Sequence, residues 1–111
     1  MKPRILFVCS RNQWRSPTAE HVYRGDPRVE VRSAGVSQSA RHVISQSDVD
    51  WADLILVMAP EHKRRILQHF REGSLPPVEC LDIPDDFRYM DDALVQLVRE
   101  STEPWINQLL S

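Results

Sequence analysis

The chain has little cysteine and little glycine: Cys9 and Cys80 are its two thiols, and it carries three glycines in 111 residues. Two distant cysteines make neither a disulfide framework nor a thiolate pair for a metal, so an isolated thiol here points to reactivity or to plain burial. No apolar run approaches the ~20 residues that span a bilayer. The stretch after Met1 also lacks the small-residue cleavage pattern of a signal peptide, and a cytoplasmic location is expected. An excess of charge is missing too. A formal net charge of −2 exerts no global pull on nucleic acid or anionic lipid, so neither partner is expected, and an anionic ligand would need a locally positive site. His21, His42 and His69 show no ligand spacing, and no metal or cofactor is expected. What remains is 41% hydrophobic and 27% charged residues, the composition of a globular chain, with no repeat, linker or low-complexity tract, and residues 1–111 read as one domain.

Ile5-Leu6-Phe7-Val8 and Leu54-Ile55-Leu56-Val57-Met58 are short uninterrupted apolar runs, the pattern of strands covered on both faces. Val29-Glu30-Val31-Arg32 alternates and reads as an edge strand. Val78-Glu79-Cys80-Leu81, after the turn-forming Pro76-Pro77, reads as a fourth. Ser16-Pro17 has the form of a helix start, with Ser16 as N-cap and Pro17 in the first helical position, and that helix runs to about Tyr23. A second helix is expected from about Glu61 to Phe70, ended by Gly73, with Ile66, Leu67 and Phe70 on one face and the His62-Lys63-Arg64-Arg65 stretch solvated. Asp91 and Asp92 suit the start of a final helix, which Pro104 should kink or split. Trp51 and Trp105 read as core or half-buried anchors. Alternating strands and helices with right-handed crossovers give a four-stranded parallel sheet covered by helices on both faces, and ligands of such sheets bind beyond the carboxyl ends of the strands.

The loop after the first strand carries the strongest chemical signal. Cys9-Ser10-Arg11-Asn12-Gln13-Trp14-Arg15-Ser16 joins a strand end to a helix start. A loop wrapped at a helix N-terminus presents free N–H groups, and these together with the helix dipole favour a phosphate-like anion. The same field favours a thiolate at Cys9. Arg15 supplies a planar fork able to hold two oxygens of a phosphoryl group, and Ser16 can donate to the sulfur. A cysteine that ends a buried strand is often only a small hydrophobe. Arg15, five residues on, with Ser16-Pro17 behind it, turns the reading toward a nucleophile and an anion clamp.

These residues resemble the signature of the low-molecular-weight protein tyrosine phosphatases, Cys-x-Gly-Asn-x-Cys-Arg-Ser, through Cys9, Asn12, Arg15, Ser16 and Pro17. Ser33-Ala34-Gly35, Ala40-Arg41 and Trp51-Ala52-Asp53 leading into Leu54-Ile55-Leu56-Val57-Met58 are similar to further blocks of the family in the same order. The resemblance implies a three-layer α/β/α fold with strand order 2-1-3-4. It also implies a phosphate-binding loop formed by Ser10, Arg11, Asn12, Gln13, Trp14 and Arg15, a strained backbone at Asn12, and Ser33 in the polar network beneath. Arg11 departs from the family's glycine, and Trp14 from its second cysteine. The chain is short between Gly35 and Ala40, where typical members carry a longer insert, and Gln38 falls near the place of a supporting histidine in some members.

A phosphate ester needs a proton on its leaving oxygen, which a nearby carboxylic acid commonly supplies. Leu81-Asp82-Ile83-Pro84-Asp85-Asp86-Phe87 follows the fourth strand and resembles the family's Asp-Pro-Tyr acid loop, which places the acid on Asp85 with Asp86 as rival. Trp14, Phe87 and Tyr89 can wall an aromatic pocket or serve as packing, and Tyr89 is a candidate phosphorylation site by resemblance. Cys80 is expected to be inert. Arsenate reductases that share the fold and loop require two further cysteines in a mobile segment; with Met58 ending the third strand and no cysteine beside it, that relay is not expected. The expected activity is phosphomonoester hydrolysis through a cysteinyl-phosphate, with Cys9, Arg15 and Asp85 catalytic, Ser16 and Ser33 supporting, and a phosphorylated small molecule or phosphotyrosine protein as partner. The alternatives are a catalytically weak phosphate-binding regulatory module and a thiol redox switch on Cys9.

Overall fold

The computed structural model describes residues 1–70 and 75–111; the expected helix stop at Gly73 lies outside them. Four parallel strands, β1 (Arg4–Cys9), β2 (Glu30–Gly35), β3 (Leu54–Val57) and β4 (Val78–Cys80), lie in the order β2-β1-β3-β4. The two continuous apolar runs are the two central strands. Ile5, Phe7 and Cys9 face a core that includes Tyr23, Leu94, Val98 and Ile106, while Leu6 and Val8 face one that includes Val49 and Ile66. Helices α1 (Arg15–Tyr23) and α4 (Asp92–Leu110) thus cover one side of the sheet, and α2 (Gln46–Trp51) and α3 (Pro60–His69) the other. Every strand points its carboxyl end at the same edge, so the segments after β1, β3 and β4 meet there.

Several local expectations are corrected. Helix α1 begins at Arg15 with Trp14 as its cap residue and no side-chain cap. Ser16 is no N-cap because its hydroxyl is spent on Cys9 and Asn12. Pro17 still lies among the first four residues, whose N–H groups have no helical partner anyway. Helix α2 escapes a reading based on hydrophobic period because it is short, although Ser45 and Asp48 cap it reciprocally, a local signal present in the sequence. Pro104 neither splits nor ends α4. It lies on the exposed side beside exposed Glu100, whose carbonyl loses its helical donor where water can replace it. Asp91 caps α4 by accepting from the Ala93 N–H at 2.9 Å. Trp51 is half-buried, with the Arg32 guanidinium 4.4 Å and that of Arg4 5.9 Å from its ring centre. Among the described residues, no helix is long and apolar enough to cross a membrane.

One ionic cluster ties the end of α1 to α4. Arg28 forks onto both oxygens of Asp26 and onto both of Glu103, and the Tyr23 hydroxyl donates to Glu103 at 2.8 Å. Its Arg28 bonds hold the Asp26 carboxyl at about 2 and the Glu103 carboxyl below its usual range. Burial first, then Glu103, raises the Tyr23 phenol. A depressed carboxyl contributes stability above its unfolded pKa of about 4 and loses it as pH falls through the folded value. Glu103→Gln should therefore lower the melting temperature by a few degrees at pH 7 and flatten the loss of stability as pH falls below about 4 in a pH series of thermal melts. A second expectation concerns Gly35, at the end of β2. A Cβ there would lie 2.5 Å from the Ser10 carbonyl oxygen and 2.6 Å from the Ala40 Cβ, so only glycine lets β2 touch the loop after β1. Gly35→Ala should cost about 1–3 kcal/mol in denaturant unfolding, and an unchanged midpoint would show that the two segments part freely.

Candidate active site

The loop between β1 and α1 is shaped from behind. The carbonyls of Cys9, Ser10 and Arg11 accept from the N–H groups of Val36, Ser37 and Arg41 at 3.0, 2.9 and 3.0 Å. With three successive carbonyls turned toward the 36–41 segment, the amides turn the other way. No N–H from Ser10 to Arg15 donates to an acceptor among the described residues. The turn needs one left-handed residue, and this is Asn12 with φ 55°. Asparagine tolerates that conformation better than most side chains. Arg11 does not adopt it, so the arginine in place of the family's glycine fits this loop without left-handed strain.

Asn12 is buried, and its amide sets the polarity of the network below the thiol. Its Nδ2 donates one proton to Ser16 Oγ and one to Ser33 Oγ, each at 2.9 Å. Ser33 turns its own proton to Glu20. Ser16, already an acceptor from Asn12, has its proton left for Cys9 Sγ at 3.0 Å or the Ala34 carbonyl at 3.3 Å. The shorter contact is with the sulfur. The arrangement thus offers a hydroxyl donor to the Cys9 sulfur.

Arg15 is buried in the first turn of α1, where its Nη1 donates to the Ile83 carbonyl at 2.9 Å and its Nε lies 3.5 Å from Asp85 Oδ1. The acid loop after β4 therefore orients the guanidinium and brings a carboxyl beside it. That carboxyl is largely exposed, at the mouth of the site. Cys9, Ser10, Arg11, Gln13, Trp14, Arg15 and Asp85 enclose a pocket of about 220 Å³. A wider cleft of about 560 Å³ adjoins it, and Ser10, Arg15 and Asp85 line both.

The structure brings Cys9, Ser10 to Ser16, Ser33 and Asp85 together. Asp86 lines neither space, and Phe87 packs against the core on the α1 side. Tyr89 is not a wall of the pocket; its hydroxyl meets His21 Nδ1 at 3.0 Å over a separate groove. Trp14 is the aromatic residue that lines the small pocket. Gln38 is exposed, and support for Asn12 comes from Ser16 and Ser33. Burial pushes the Cys80 thiol up, away from reactivity. His62 does not share a solvated face with Lys63 and Arg64: it is 1% exposed. Sequence reasoning missed Glu20, the part Gly35 plays against the Ser10 carbonyl, and the Ile83 carbonyl. Glu20 lies one helical turn after Ser16, a spacing that could have placed it on the same face. The other two are backbone features with no side-chain signature. Among the described residues, no group of three or more His, Cys, Asp and Glu is placed to hold a metal ion.

Comparison with known proteins accords with this geometry. No family model matches the chain. A protein-arginine-phosphatase of Geobacillus stearothermophilus is 33% identical over 98 aligned positions, which cover 67% of this chain and 66% of that protein. The solved structure of an arginine phosphatase from Geobacillus stearothermophilus superposes with a TM-score of 0.72 at 28% identity, with 96% of each chain covered. A low-molecular-weight protein tyrosine phosphatase from Streptococcus pyogenes superposes with a TM-score of 0.81 at 21% identity, covering all of this chain and 95% of that one. The strand order, the loop that follows β1 and these relatives agree: the chain belongs to the low-molecular-weight protein tyrosine phosphatase family, a family of cysteine-dependent phosphatases.

Proposed function

We propose that this chain hydrolyses phosphomonoesters through a cysteinyl-phosphate intermediate, with Cys9 as nucleophile. The observation that carries the reading is the small pocket itself: it is lined by the Cys9 thiol, by loop residues whose backbone N–H groups have no acceptor among the described residues, and by Arg15 and Asp85. The amides and the Arg15 fork hold the three non-bridging oxygens of the phosphoryl group and stabilise their charge during transfer. The Cys9 sulfur forms a bond to phosphorus as the bond to the ester oxygen breaks, and Asp85 gives that oxygen its proton. Water then attacks phosphorus, Asp85 takes the proton from water, and the sulfur leaves as a thiolate held by Ser16. The reaction is placed in the cytoplasm, and the phosphoryl donor is a phosphorylated protein or small molecule.

Phosphotyrosine is the first substrate reading, on the family signature. Phosphoarginine is the second, and the 33%-identical protein-arginine-phosphatase favours it. The two place oxygen and nitrogen, respectively, on the atom that Asp85 must protonate.

Steady-state hydrolysis of para-nitrophenyl phosphate tests the machinery. Cys9→Ser should abolish turnover, Arg15→Lys should lower kcat/KM by about 100-fold because a point charge cannot fork two oxygens, and Asp85→Asn should lower kcat by about 100-fold or more. Asp86→Asn should leave rates within about twofold. A wild type no faster than Cys9→Ser would refute the enzyme reading, whereas loss with Asp86→Asn alone would move the acid and leave the nucleophile in place. Substrate class is read from kcat/KM on matched peptides that differ only in phosphotyrosine or phosphoarginine; the phosphotyrosine peptide is expected to be the better, and the reverse order selects the second reading.

A further inference from the structure

The wider cleft contains a donor that the chemistry above does not use. His62 sits in the first turn of α3, 1% exposed, yet it contributes to the wall of this cleft. Its Nδ1 accepts from the Ala59 N–H at 3.1 Å, capping the helix. Burial, and then the charge of Arg15, hold its pKa down at about 4, so the ring is neutral at ordinary pH. A neutral imidazole that accepts at Nδ1 carries its proton on Nε2. That N–H has no acceptor among the described residues. It is also not sealed away, because the one fully occluded side-chain polar atom without a partner among the described residues is Thr102 Oγ1. The ring is part of the cleft wall, and its Nε2–H keeps a small accessible surface there.

The rim decides what kind of acceptor fits. Glu61, Asp82 and Asp85 line the cleft against Arg65 and Arg15. Arg15 is committed to Ile83 and, on the reading above, to the phosphoryl group. The remaining balance is negative and opposes a free carboxylate or a second phosphate. A cation would satisfy the rim but offers nothing to an N–H. A neutral carbonyl satisfies both, and the apolar lining from Val36, Met58, Pro60 and Pro84 suits the rest of a polypeptide. The cleft shares Ser10, Arg15 and Asp85 with the phosphate pocket, so what it holds is attached to the phosphorylated side chain.

We propose that this cleft is a peptide subsite, in which the Nε2–H of His62 donates to a backbone amide carbonyl next to the phosphorylated residue. The inference rests on the phosphatase reading of the pocket. It is tested on the wild-type protein by calorimetric titration with two non-hydrolysable ligands: benzylphosphonate, which fills the phosphate pocket alone, and the same group carried as N-acetyl-phosphonomethyl-phenylalanine amide. The amide ligand should bind about three- to tenfold more tightly, the range of one net neutral hydrogen bond. His62→Asn, which retains a short acceptor for the Ala59 N–H and removes the distal donor, should bring the ratio of affinities close to one, and His62→Gln, which carries an amide N–H at greater reach, should restore part of it. In nitrogen-resolved NMR of the wild type, the His62 Nε2–H resonance should gain protection from exchange with the amide ligand and not with benzylphosphonate. Equal affinities in the wild type, or a ratio that survives His62→Asn, overturn the subsite while benzylphosphonate binding upholds the phosphate pocket. Failure of both ligands to bind overturns both readings.

Discussion

The site depends on three carbonyls that face away from it. Cys9, Ser10 and Arg11 give their oxygens to the 36–41 segment, and a peptide plane that turns its carbonyl one way turns its amide the other. The positive interior of the loop is thus a consequence of hydrogen bonds on its outer side. This makes Gly35 and the turn that follows it as much a part of the loop's shape as the loop residues themselves. A Cβ at position 35 would enter the space of the Ser10 carbonyl oxygen, one of the atoms whose direction matters most.

The polar network below the loop works by proton inventory. Asn12 has two amide protons and gives one to each of two serines, which obliges each serine to spend its own proton elsewhere. On one side Glu20 receives it; on the other the thiol and the Ala34 carbonyl compete for it. The left-handed backbone at Asn12 and the burial of its side chain are the local conformational cost of placing this amide between two hydroxyls. Arg15 is held in the same economical way. One nitrogen is fixed by the Ile83 carbonyl, and the acid loop that supplies this carbonyl also carries Asp85, so anchor and carboxyl arrive together.

Much of this was legible in the sequence because it is written in short-range pattern. The apolar runs at Ile5–Val8 and Leu54–Met58 mark the central strands, and the Cys9 to Ser16 segment condenses thiol, loop and helix start into eight residues. What was misread depends on tertiary context. Ser16 has every local mark of an N-cap, and a sulfur seven residues earlier takes its hydroxyl instead. His62 sits among Lys63, Arg64 and Arg65, which suggest water, yet its ring turns inward because its Nδ1 caps the helix on which it stands. Pro104 predicts a break that α4 does not make, since the carbonyl it strands is on the wet side. Helix α2 has a readable cap and too few turns for a period.

The order in which these parts occur along the chain has a consequence for synthesis. The thiol is made at residue 9, but the donors that turn its loop outward are at 36–41 and the carboxyl beside its arginine is at residue 85. A nascent chain that has emerged only through β2 holds a Cys9 loop without its outer hydrogen-bond donors and without Asp85 beside Arg15. β1 is the second strand of the finished sheet and cannot be covered on both sides until β3 and the late helix α4 arrive. The surroundings of the Cys9 sulfur are therefore complete only with closure of the whole sheet.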